Sequence, residues 1–154
     1  MMVEVLCVCR RPPAWVTDAT ADYAQRLGRH IGLKFRYLAP EREGAAGAMR
    51  CRDEGQRVLK SLRAGTHLVA LDERGDEHTS AGLASALARW RERFAHVTFA
   101  IGGADGFDSA VLEQASERWS LSRLTLPHLL VQIVVAEQIY RAWSILEGHP
   151  YHRA

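Results

Sequence analysis

Val97-Thr-Phe-Ala-Ile101, followed at once by Gly102-Gly103-Ala-Asp-Gly106-Phe107, decides how this chain is read. An apolar run of five residues, rich in β-branched and aromatic side chains, has the pattern of a strand buried on both faces. Three glycines among the next five residues end it, and they let backbone come close to something a Cβ would strike. The chain then runs through Trp119-Ser-Leu-Ser-Arg-Leu-Thr-Leu-Pro127-His128, a long apolar segment over 129–146, and the closing Gly148-His-Pro-Tyr-His-Arg153. Termini are normally disposable, so a tail this dense in His, Tyr and Arg is expected to have a use.

Working outward, Met2–Val8 reads as a first buried strand, ended by Arg10-Arg11-Pro12-Pro13. Residues 14–27 carry Trp15, Ala19, Tyr23 and Leu27 at four-residue spacing, which predicts one apolar stripe on a helix. Residues 31–38 alternate as a half-exposed strand near a sheet edge. A Pro- and Gly-bearing loop over 39–47 leads to an Arg-rich helix over 49–63, whose charges spread round it as on a solvated surface or a phosphate track. A short buried strand over 67–71 follows, then a helix over 81–94 capped by Thr79 or Ser80. After the 97–101 strand come a short helix over 109–118, a short strand over 119–121 and a final helix over 129–147. Strands alternating with helices predict an α/β fold with a mostly parallel sheet flanked by helices, in a single domain spanning 1–154.

At 154 residues, 47% hydrophobic and 25% charged, the chain has the composition of a soluble globular protein. Its first residues lack the basic region and long apolar core of a signal peptide, and Gln132, Glu137, Gln138 and Arg141 interrupt the apolar 129–146 segment. A cytoplasmic protein with no membrane association is expected. Cys7, Cys9 and Cys51 form no disulfide framework and no metal-ligand spacing, so reduced thiols and no metal are expected. Residues 1–63 carry 12 basic and 7 acidic side chains, residues 64–154 carry 8 and 11. The basic front half suits a polyanion or a merely solvated surface equally well.

Strand ends followed by glycine turns are where open α/β sheets bind ligands, so Leu71, Gly102 and Gly103 are site candidates. No dinucleotide fingerprint and no P-loop motif is present. The segment Leu121-Ser122-Arg123-Leu124-Thr125-Leu126 has neither helical nor strand spacing, and its free backbone groups need partners. An adenine edge is one such partner. The final helix is apolar on nearly every side, which requires a deep core position or a subunit interface. Glu137 and Arg141, four apart, suit an intrahelical ion pair, although Arg141 could instead meet phosphate or substrate. His128, just after Pro127, could be structural or part of a site.

Ile101-Gly-Gly-Ala-Asp-Gly106, Ser120-Leu-Ser-Arg-Leu-Thr-Leu-Pro-His128, Ala136-Glu-Gln-Ile-Tyr-Arg-Ala-Trp143 and Pro150-Tyr-His-Arg153 closely resemble the RlmH family. Its members are small SPOUT-superfamily methyltransferases acting on a pseudouridine of large-subunit ribosomal RNA. The resemblance covers nearly the whole chain and is strongest from Leu68 onward. It implies a C-terminal trefoil knot, which periodicity could not have disclosed because knots break the usual topological rules. It also implies S-adenosylmethionine held by Leu71, Gly102, Gly103 and Leu121–Leu126, and a homodimer built on the final helix. Three departures stand out: Gln132 where the family commonly has Arg, Gly148 where Asn is frequent, and Cys9-Arg10-Arg11 in place of a more usual Gly-Lys.

The implied reaction is methylation at N3 of a pseudouridine in 23S ribosomal RNA on the assembled ribosome. His128 and His152 are the candidate bases, Arg141 and Arg153 the groups to hold an anion or phosphate, and Tyr151 a stacking or hydrogen-bonding group. Two rivals remain: a non-catalytic knotted RNA-binding protein, and a nucleotide-binding oxidoreductase, which the missing fingerprint opposes.

Overall fold

Buried side chains alternate along the central strands. Val3, Val5 and Cys7 join one cluster with Val97, Phe99 and Ile101, whereas Leu6 and Val8 join another with Leu68 and Ala100. Because successive strand residues face opposite sides, this pattern requires covering layers on both faces of the sheet.

A computed structural model of the chain supplies those layers; it describes residues 1–41 and 46–153, apart from the side chain of His152. The elements are β1 (Met2–Val8), α1 (Ala14–Leu27), β2 (Gly32–Leu38), α2 (Gly47–Ser61), β3 (His67–Glu77), α3 (Ser80–Arg93), β4 (His96–Ile101), α4 (Ser109–Gln114), β5 (Glu117–Ser120) and α5 (His128–Leu146). A 3-10 turn, Pro150–Arg153, closes the chain. Among the described residues the five strands pair in parallel, in the order β2-β1-β4-β3-β5. The α/β reading with a parallel sheet flanked by helices therefore holds, with β2 at an edge as its half-exposed pattern predicts. Of the loop expected over 39–47, residues 42–45 lie outside the described residues.

Helices α1, α3 and α5 cover the larger core cluster, with α5 packed against both of the others; α2 and α4 cover the smaller. The order of strands explains the split. The crossovers β1 to β2 and β3 to β4 run one way along the sheet and use one face. Those from β2 to β3 and from β4 to β5 run the other way and use the opposite face. A single crossover handedness demands that correlation.

Three local expectations are corrected, and α5 is less enclosed by its own chain than a deep core position would make it. On α1 the buried face holds Val16, Thr20 and Leu27, while Trp15 is 52% exposed. The buried Thr20 hydroxyl is satisfied by donating to the Val16 carbonyl at 2.9 Å. Strand β3 does not stop at Leu71: it pairs with β5 at Val69–Leu71 and again at Asp76–Glu77. Between the two pairings Gly75 lies so close that a Cβ would sit 2.7 Å from the backbone of Arg118 and Trp119. Helix α4 ends at Gln114, because Glu117 is drawn into β5, where it accepts hydrogen bonds from Trp119, Trp90 and His67. Finally, α5 is not buried all round within one chain. Leu130 is 43% exposed, and Ile133 and Val134 are half-buried. This helix is long and apolar enough to cross a bilayer, but here it lies across the sheet between α1 and α3.

Candidate active site

The chain leaves β4 toward the face covered by α4, while its two neighbours, β1 and β3, send their connections to the face of α1 and α3. Connections that part in this way open a crevice at the carboxyl ends of the strands, the general ligand position in open α/β sheets. Cys9, Gly102 and Leu71 all lie at that end. The irregular segment after β5 leaves from the same end of the sheet, since β5 runs parallel to β3.

The glycine turn is built from backbone. Gly103 and Gly106 form an isolated antiparallel bridge, with the Gly106 N–H donating to the Gly103 carbonyl at 3.0 Å, and Gly106 takes φ 73°. A Cβ on Gly102 would lie 2.8 Å from the Gly106 carbonyl carbon. A Cβ on Gly103 would instead lie 2.5 Å from Oε2 of Glu54, a side chain only 4% exposed. At Gly103 an added methyl group would thus press on the carboxylate by which α2 packs onto the turn.

That role of α2 is missing from the sequence reading, which left its charges undirected. Arg50 binds Asp105 at 2.6 and 2.8 Å, the Cys51 thiol lies 3.5 Å from the Gly106 carbonyl, and Glu54 accepts the Glu41 N–H at 2.9 Å. Gly55 leaves room for Asp108, whose carboxylate caps α4. Positions 50, 51, 54 and 55 share one helix face, and that spacing was the available signal.

The segment after β5 fits what its composition predicts. Its internal hydrogen bonds are few: Leu124 N–H to the Ser122 hydroxyl at 2.9 Å, and the Ser120 hydroxyl to the Ser122 carbonyl at 3.1 Å. Among the described residues, no group accepts from the backbone amides of Arg123, Thr125 or Leu126. Leu124 is 76% exposed, and the Arg123 side chain reaches out to Glu77 at 2.7 Å. Leu71 and Leu121 are half-buried at the core margin. A cavity of about 240 Å³ opens beside Leu121, between Trp119, Leu83 and the Val134–Gln138 face of α5. Gly102, Gly103 and His128 are not on its walls, so the cavity and the glycine turn are separate features.

His128 opens α5 and comes to the same crevice. Its Nδ1 is 3.2 Å from Nε2 of Gln132, whose amide also donates to the Cys9 sulfur at 3.7 Å. Burial pushes the His128 imidazole below its ordinary pKa, and the Gly102 backbone beside it offsets part of that fall. Cys9 is half-buried, and burial raises its thiol pKa while the Gln132 hydrogen bond works the other way.

The tail residues gather elsewhere. Glu137 accepts from Arg141 Nε at 2.8 Å and Nη2 at 2.7 Å, the ion pair expected from their spacing. It also accepts the Tyr151 hydroxyl at 3.1 Å, and the Arg141 guanidinium stands 5.0 Å over the Tyr151 ring. Tyr151 packs edge-on against Tyr140 at 4.7 Å. Burial, with Tyr23 and Glu137 close by, pushes its phenol pKa up. Arg153 is exposed. The side chain of His152 lies outside the described residues. Thirteen residues of helix, about 20 Å, separate His128 from Arg141. The expected site residues therefore form two groups, not one. Among the described residues, no three His, Cys, Asp or Glu side chains come together to hold a metal ion.

The parallel five-stranded sheet flanked by helices, with a glycine turn at the carboxyl end of β4, defines an open-sheet α/β protein. Residues 1–152 match the family described as "Predicted SPOUT methyltransferase", and the chain belongs to that family. It is 43% identical to the ribosomal RNA large subunit methyltransferase H of Methylococcus capsulatus, over 99% of this chain and 100% of that protein. The proteins of the same name from Neisseria meningitidis and Hydrogenovibrio crunogenus are 44% and 41% identical, each over 99% of both chains.

Proposed function

We propose that this chain transfers a methyl group from S-adenosylmethionine to N3 of a pseudouridine in 23S ribosomal RNA on the assembled ribosome, in the cytoplasm. What supports this reading is the Gly102–Gly103 turn at the carboxyl end of β4, together with the irregular Leu121–Leu126 segment, whose Arg123, Thr125 and Leu126 amides have no acceptor among the described residues and suit an adenine edge. The relatives' names supply the ribosomal RNA. We read the tight crossing at Gly75 as the place where the trefoil knot of the resemblance closes.

The sulfonium donor brings an activated methyl group, so no metal is needed. The protein's part is to align the acceptor nitrogen, take up its proton and hold the developing anion. The S–CH3 bond breaks as the N3–CH3 bond forms, and the N3 proton leaves to a base. Arg141 and Arg153 hold the anion or a neighbouring phosphate, and Tyr151 stacks on the base. His128 and His152 are the two histidines in play.

Because about 20 Å of helix separates His128 from Arg141, one chain cannot bring both groups to a single base. Two chains packed through the bare amino-terminal half of α5 can. The working unit is therefore a homodimer in which each tail completes its partner's site. Deleting residues 151–154 then removes methylation while sparing folding and S-adenosylmethionine binding. Mixing tail-deleted chains with Gly102→Ala chains restores one site per heterodimer. Verified mixed dimers that stay inactive would exclude the shared site. Nucleoside mass spectrometry of ribosomal RNA from cells lacking the gene, with and without its return, tests the reaction. An unchanged methylpseudouridine content would refute it.

A further inference from the structure

Gln132 is wholly buried on α5, and only its amide nitrogen has partners: His128 Nδ1 at 3.2 Å and the Cys9 sulfur at 3.7 Å. Among the described residues its Oε1 and the Nε2 of His128 are buried with no side-chain partner, and the Gly102 backbone lies beside the His128 ring. Turning the amide over would bury an NH2 group with two unmatched donors in place of one unmatched carbonyl, the worse of the two arrangements. In the observed orientation Gln132 donates to Nδ1. A ring that accepts at Nδ1 carries its proton on Nε2 when neutral.

We propose that Gln132 is a positioning residue that holds His128 neutral with its proton on Nε2, so that the ring presents an N–H to the methyl donor at the glycine turn and is not the base. This rests on His128 belonging to the methyl-transfer site. A protonated ring would need Nδ1 to donate, and the Gln132 N–H occupies that position. The groups facing the ring are Gln132 on its own helix, Cys9 after β1 and the Gly102 backbone after β4. None is an anion that would hold an imidazolium, since the Cys9 thiol is itself pushed up by burial.

The test is nitrogen-15 spectroscopy of the histidine-labelled protein, with the His128 signals among the seven histidines assigned by His128→Asn. The expected state is a neutral Nε2–H ring from pH 6 to 8, with Nε2 shifted when S-adenosylmethionine is added. Gln132→Met keeps the volume but removes the donor, and it should produce a mixture of the two tautomers. Gln132→Glu places a carboxylate against Nδ1 and should raise the ring's pKa by about 1–3 units. Unchanged signals from the other histidines verify the fold of each variant. A proton on Nδ1, an ordinary titration near pH 6.5 in the unaltered protein, or a Gln132→Met ring still wholly Nε2–H would overturn the role of Gln132. Signals that S-adenosylmethionine leaves unmoved would show instead that His128 lies outside the site, and the donor role falls with it.

Discussion

At Gly102 a single added methyl group would meet backbone, which cannot swing aside; at Gly103 it would meet the end of a glutamate. Replacing Gly102 by Ala should therefore weaken S-adenosylmethionine binding more than about tenfold, or about 1.4 kcal/mol, with a smaller loss for Gly103→Ala. Calorimetry on the two folded variants checks the order, and equal affinities would count against it. His128 gives a second prediction at this scale. Its folded pKa is depressed below 6.5 because burial disfavours the charged ring. The unfolded chain therefore takes up a proton that the folded one resists. The stability this supplies is full above pH 6.5 and is lost as pH falls through the folded value. Denaturation at a series of pH values should show a flatter acid limb for His128→Asn than for the unaltered protein.

Among the elements, β5 is short and depends on a single carboxylate. Glu117 accepts from Trp119 at 2.8 Å, Trp90 at 3.0 Å and His67 at 2.8 Å. Burial works against its charge, yet the hydrogen bonds from Trp119, His67 and Trp90 prevail and lower its pKa. Two nearly buried indole N–H groups would lose their acceptor in Glu117→Leu. A loss of about 2–3 kcal/mol is expected, read from the denaturant midpoint. Since the folded pKa is the lower one, the contribution of Glu117 is present above about pH 4.5 and fades as pH falls through the folded value. An unchanged midpoint for Glu117→Leu would mean that β5 is held by its strand pairing alone.

For the whole molecule, the bare half of α5 is the feature that a single chain leaves unresolved. Leu130, Ile133 and Val134 stay partly open, although Gln132, Val135, Ala136, Ile139, Tyr140 and the run from Ala142 to Ser144 on the same helix are buried. If two chains meet there, Ile133→Lys sets an uncompensated charge against apolar surface. It should yield a folded monomer that has lost methylation, seen as a halved mass in sedimentation. A stable dimer of Ile133→Lys would place the interface elsewhere.

The sequence by itself determined the order of elements, the parallel sheet and the positions of the glycine turn and the unpaired segment. Those follow from side-chain periodicity and from the few residues that permit a turn, both local properties of the chain. It could not give the second pairing of β3 with β5, because Asp72-Glu-Arg-Gly75 is polar and reads as a loop until Trp119 lies beneath it. Nor could it show that α2 braces the glycine turn, or which face of α1 turns inward: Trp15 and Val16 are adjacent, and only the packed sheet chooses between them. The separation of His128 from Arg141 was implicit in the helix length. Its meaning depends on where the strands end, which only the tertiary structure decided, since burial and crossing are set by contacts between segments far apart in sequence.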